Sequence, residues 1–210
     1  ILFHDDAVLT DFEDVSPEAV AAWRQTGMAH DAAPVPQRPQ ERQAWMRFKS
    51  QTLTRFTLDL RQAVQAIRGP QVKTARNLFA LPILEPQSEA WFAQNLDDFL
   101  AAYDWTVPMA MPLMESVPID ASQAWLTRLV QAVARHPGAL KKTIFELQAR
   151  DWNRRQQNAI PDQQLADWMR LLRLNGVKNY GYYPDDFINN QPDISRIRPQ
   201  FSSWWYPDHD

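Results

Sequence analysis

The chain has 210 residues, 45% of them hydrophobic, and a formal net charge of -3. That length and apolar content bury a substantial core, while near-neutrality disfavours a nucleic-acid binder or a polybasic membrane-surface protein. No apolar stretch reaches the ~18 residues of a membrane span. The absence of cysteine excludes disulfides, thiolate metal sites and a cysteine nucleophile.

The chain opens inside a strand-like run, without Met, and reads as an interior or trimmed piece of a longer protein. Ile1-Leu2-Phe3-His4-Asp5-Asp6-Ala7 is apolar and then abruptly acidic. Ser16-Pro17-Glu18 supplies an N-cap, a first-turn proline and an early acid for a helix to Thr26. A Pro-punctuated link over residues 33–39 leads into a long helix from Gln40 to Ile67, stopped at Gly69-Pro70. Val72 to Ala80 predicts a strand, Glu89 to Tyr103 a helix capped by Ser88, and Thr106 to Met114 a third strand. A helix capped by Asp120 or Ser122 runs to Arg135 and ends at His136-Pro137-Gly138. Lys142 to Ala149 is a strand, Asp162 to Leu174 a helix closed by Asn175-Gly176, and Asn179 to Tyr183 a last strand. Residues 189–210 read as a loop-like tail after an α/β body over 1–188.

Five strands alternating with helices imply parallel pairing through right-handed crossovers. A complete eight-stranded barrel needs about 250 residues. The chain is therefore an open sheet or the C-terminal five-eighths of a barrel. Nine Trp, ten Phe and five Tyr against only five Gly argue against a Gly-rich phosphate loop. They suit surfaces that stack flat apolar rings, such as sugar faces. The stripes Trp91, Phe92, Leu96, Phe99, Leu100 and Trp168, Met169, Leu171, Leu172 have helical spacing and are expected in the core.

Acids recur where strands end. On a regular strand, at most one of Asp5 and Asp6 aims into a common mouth. Glu115 ends another strand, and together these carboxylates suit glycoside hydrolysis. Helix capping or loop ion pairs compete with that reading for each single acid. His4 serves to orient an aspartate or line the mouth. The four histidines, at 4, 30, 136 and 209, lack the spacing of a zinc site, so no metal or cofactor is expected. Gln148 and Asp151 are candidates to bind sugar hydroxyls, and Trp152, Tyr182 and Tyr183 to stack pyranose faces. Asp185 and Asp186 after Pro184 fit turn chemistry better than catalysis. Arg76-Asn77 is placed to support the acids from below.

Ile1 to Ala7 with Asp11-Phe12-Glu13-Asp14, Met109-Ala110-Met111-Pro112-Leu113-Met114-Glu115 and Lys142-Thr143-Ile144-Phe145-Glu146-Leu147-Gln148 resemble one family. It is the C-terminal domain of the bacterial poly-β-1,6-N-acetyl-D-glucosamine N-deacetylases of biofilm export. The resemblance covers nearly the whole chain. It implies a TIM-like (β/α) barrel, of which this chain holds about the C-terminal five strands. It implies endo-type cleavage of partly deacetylated polymer in an electronegative groove, in the periplasm, with an outer-membrane export porin as partner. Asp6 is then the general acid, and Asp5 and Glu115 position the amino sugar or the water. A noncatalytic module guiding the polymer to an export pore is the rival reading.

Overall fold

The computed structural model describes residues 1–28, 35–153 and 158–201. The chain forms two compact units, residues 1–106 and 107–210. The first begins with β1 (Leu2–Phe3), α1 (Pro17–Gln25) and the 30-residue α2 (Pro39–Arg68). Then come β2 (Ala75–Leu78), α3 (Ala80–Leu84), a 3-10 turn (Pro86–Ser88), α4 (Glu89–Phe92) and α5 (Leu96–Ala102). β1 pairs parallel with β2, Phe3 opposite Arg76.

Local chemistry sets most of these boundaries. Ser16 Oγ accepts from the Ala19 N–H at 3.2 Å, and Pro17 opens α1. Pro39 opens α2, and Gly69, at φ +92°, ends it in a backbone conformation that side chains rarely adopt. The predicted single helix from Glu89 to Tyr103 is instead two. Ala93 turns left-handed at φ +50°, and Asn95 rather than Ser88 supplies the cap, accepting from the Asp98 N–H at 3.1 Å. The predicted strand to Ala80 stops at Leu78, because Phe79 starts α3.

Aromatic rings fill this unit. Trp23, Trp45 and Phe48 join α1 to α2, with Trp23 and Trp45 edge-on at 5.3 Å. Phe99 and Tyr103 meet edge-on at 5.3 Å, and the Tyr103 hydroxyl bonds Thr57 of α2. The Arg76 guanidinium lies over Phe99, 4.9 Å from its centroid. Burial holds Arg76 below its ordinary pKa, opposed by Tyr103.

β3 (Trp105–Ala110) leads into the second unit, with α6 (Ile119–Ala134), β4 (Phe145–Gln148), α7 (Asp162–Leu174), β5 (Tyr180–Tyr183) and the short α8 (Ile194–Ile197). β4 pairs parallel with β3 and with β5, the latter from Phe145↔Tyr180 to Gln148↔Tyr183. The Asp162 to Leu174 expectation matches α7 residue for residue. Neither Asp120 nor Ser122 caps α6; Pro118 occupies that position, and the Ser122 hydroxyl serves the core. The tail is less loop-like than predicted: Asp193 caps α8, whose Ile197 is fully buried. Trp204, Trp205 and Tyr206 lie outside the described residues.

Leu126, Leu129 and Val133 of α6 and Leu165, Trp168, Met169 and Leu172 of α7 are fully buried. Trp168 Nε1 donates to Ser122 Oγ at 2.9 Å, and Ser122 donates onward to the Ile119 carbonyl at 2.6 Å. Ser122→Ala leaves the indole N–H buried without its acceptor, a loss of about 1–3 kcal/mol. Urea unfolding of the variant should show a lower midpoint with an unchanged slope.

Candidate functional site

β1 stops at Phe3, and this changes the geometry expected of the acids. Asp5 and Asp6 sit in a turn, and just beyond it the Val8 N–H donates to the Asp6 carbonyl at 3.1 Å. Off the strand, neighbouring side chains need not oppose each other. His4, Asp5 and Asp6 each offer a ligand atom, and the three lie within 4.8 Å of one another. His4 Nδ1 contacts the Asp5 carboxylate directly. Asp5 is half-buried, whereas Asp6 is exposed. The cluster thus has an inner carboxylate held by imidazole and an outer one open to a ligand. Its donor types also suit a cation, although exposed acids gather this closely without one.

The segment after the acids is gripped from three elements. Arg76 Nη2 of β2 donates to the Ala7 carbonyl at 3.0 Å, and Leu9 N–H donates to the Phe92 carbonyl at 3.4 Å. Lys49 of α2 donates to the Thr10 carbonyl, and Arg42 of α2 pairs with Asp11 at 3.2 Å. Arg76 therefore supports the backbone beside the acids; Asn77 is buried next to it on β2. A cavity of about 640 Å³ adjoins this segment, with Asp11, Trp45, Lys49, Glu89 and Asn95 in its lining. None of His4, Asp5 and Asp6 lines it.

In the second unit, β3 ends at Ala110, so Glu115 lies in a turn beyond the strand rather than at its tip. The Glu115 N–H donates to the Met111 carbonyl at 3.3 Å, and Ser116 adopts φ +59°. Gln148 builds this turn. Its Oε1 accepts from the Leu113 and Met114 N–H groups at 2.7 and 3.3 Å, and its Nε2 donates to the Arg150 carbonyl at 2.8 Å. Fully buried and engaged at both ends, Gln148 is a scaffold for the Glu115 turn, not the sugar-facing amide its sequence position suggested. Asp151, also buried, accepts from the Asn153 N–H at 3.0 Å.

Trp152 and Tyr183 form a near-parallel pair, 6.1 Å between centroids and 24° between planes. Tyr183 is 47% exposed, so the pair presents ring surface to solvent. The Tyr182 hydroxyl donates to Asp185 at 3.1 Å, and burial, with Asp185 beside it, pushes its pKa up to about 12. It stays a neutral donor throughout the physiological range. Asp186 accepts from the Asn189 side chain and backbone, which hold its carboxyl below the usual range. That is the turn chemistry expected there.

Two features escaped sequence reasoning. Trp91, assigned to the core, is 50% exposed, because the break at Ala93 rotates α4 away from the helical register that predicted its burial. Lys49 opens the polar run Lys49-Ser50-Gln51-Thr52, and nothing in that pattern marks it as buried. It is 2% exposed.

Residues 1–183 match the family described as hypothetical glycosyl hydrolase family 13. The poly-beta-1,6-N-acetyl-D-glucosamine N-deacetylases of Escherichia coli K12 and O157:H7 are each 54% identical over 211 residues, spanning all of this chain. The chain covers 31% of their length. The solved PgaB (BpsB) glycoside hydrolase domain from Bordetella bronchiseptica is 46% identical with a TM-score of 0.89, over 96% of this chain and 56% of that one. Parallel strands with intervening helices, the family match and this structural likeness together assign the fold to the TIM-like (β/α) barrels, in part. The chain belongs to hypothetical glycosyl hydrolase family 13 and is a glycoside hydrolase domain.

Proposed function

We propose that this domain is an endo-glycosidase acting on partly deacetylated poly-β-1,6-N-acetyl-D-glucosamine, with Asp6 as general acid. The observation that carries the assignment is the division of labour at the end of β1: His4 occupies Asp5 and leaves Asp6 exposed. A general acid must reach the leaving oxygen, and Asp6 is the carboxyl with access. Asp5, braced by His4, then fixes the amino sugar. Glu115, on the other unit, is assigned to the amino sugar or the water, and its own substitution tests that role. No second catalytic carboxylate is assigned, and the substrate's N-acetyl group is a chemically competent alternative nucleophile.

The polymer's repeating flat rings suit the Trp152–Tyr183 pair and the exposed Trp91, and its free amines suit carboxylates. Asp151 and Tyr182 complete the proposed contacts, and Gln148 contributes through the Glu115 turn. The relatives carry the polymer's name, which supports this substrate. Residues 1–188 are assigned to the hydrolase body and 189–210 to a tail. The periplasm, and an outer-membrane export porin as the polymer's next contact, complete the proposal. No helix among the described residues is long and apolar enough to cross a membrane.

Mass spectrometry of products from partly deacetylated polymer tests the chemistry. Short oligomers should form with the wild type, and Asp6→Asn should slow their formation by about 10²–10⁴-fold while polymer binding persists. Binding without cleavage by the wild type would instead mark a polymer-guiding module. Trp152→Ala should weaken oligosaccharide binding several-fold, about 1 kcal/mol, as read by calorimetry. An unchanged affinity would remove the aromatic pair from the binding surface.

A further inference from the structure

The geometry points to Lys49 as a positioning residue for Asp6, its buried side chain on α2 fastening the 7–13 segment through the Thr10 carbonyl. The inference rests on the reading of Asp6 as the acid. Residues 7–13 follow that acid directly and form no helix or strand. Their backbone groups must therefore find partners elsewhere. Arg76 holds Ala7, the Phe92 carbonyl holds Leu9, and Lys49 holds Thr10. Thr10 is fixed on its other side as well: its N–H and hydroxyl donate to Glu13 Oε2 at 3.0 and 2.9 Å. Asp6 itself is tied to this run through the Val8 N–H.

A buried ammonium is an odd clamp. Taking it out of water costs more than a methionine of similar length would, so packing alone does not explain it. A charged donor does bind a carbonyl about twice as strongly as a neutral one. Burial lowers the Lys49 pKa to about 8, against the opposing charges of Asp11 and Glu13. Arg42 and Arg47 of its own helix, and Glu89 and Asp97 beyond β2, line the same cavity. The Trp45 ring lies 5.8 Å from the ammonium.

The sign of the pH effect separates positioning from stability. Between about pH 8 and 10.5 the unfolded lysine holds a proton that the folded one has released, so stability rises with pH in that window. Catalysis moves the other way, because the neutral amine is the weaker clamp. A purely structural lysine gives no such opposition.

The test compares Lys49→Met, Lys49→Arg and Asp6→Asn in the full-length protein, by steady-state kinetics on partly deacetylated polymer and by hydrogen exchange of amides 7–13. Lys49→Met should lower kcat on the order of 10- to 100-fold, as a displaced acid does, with KM within about twofold. Its amides 7–13 should exchange faster, its Tm should hold or rise, and the additional loss of rate that sets in near pH 8 should vanish. Lys49→Arg should restore much of kcat. Wild-type kcat in Lys49→Met, or a loss of kcat with exchange at 7–13 unchanged, overturns the inference. Failure of the underlying reading shows separately, as full cleavage by Asp6→Asn.

Discussion

Parallel strand pairing is the constraint on which the other features depend. Two parallel neighbours must be joined by a crossover, so the loops that leave their C-terminal ends emerge on one edge. In the first unit those loops are the acidic turn after β1 and the α3–α5 region after β2. The Leu9–Phe92 hydrogen bond shows them meeting. In the second unit, the Glu115 turn, the Asp151-Trp152 segment and the residues after β5 leave a common edge for the same reason. Gln148 and the Trp152–Tyr183 pair cross-link them. Loops can carry chemistry only where a rigid frame aims them, and here the frame is the strand register.

The two acidic sites are built by different physics. Around Asp5 and Asp6 the supports are an imidazole against a carboxylate, from His4, and cations against backbone carbonyls, from Arg76 and Lys49. Around Glu115 they are neutral amides, with Gln148 and Asn153 both binding Leu113. Charged supports are strong but respond to pH and salt; amide supports do not.

Much of the fold was legible in the sequence because it depends on local signals. The proline that opens α2, the glycine that ends it and the amphipathic run of α7 each act within a turn of helix. What was not legible depends on contacts distant in the chain. Nothing near Ala93 demands a left-handed residue, yet that break exposes Trp91. Gln148 looked like a rim amide because its spacing was right, and only folding brings the Leu113 and Met114 amides to it, 35 and 34 residues away in sequence. The acids were found from their place after an apolar run. The pairing of His4 with an aspartate was anticipated too; that both aspartates gather with it follows from β1 ending at Phe3, which frees them from the alternation of a strand.

The length of α2 carries a further consequence. At 30 residues it spans about 45 Å, far more than the strands beside it. Lys49 near its first third reaches the acidic segment, and Thr57, two turns on, reaches Tyr103. The helix is therefore a ruler with two marks. One residue inserted between those marks would turn one contact about 100° away from its partner while leaving the other in place. Divergence along this lineage should accordingly tolerate gaps ahead of Pro39 and after Arg68, and admit only substitutions between Lys49 and Thr57.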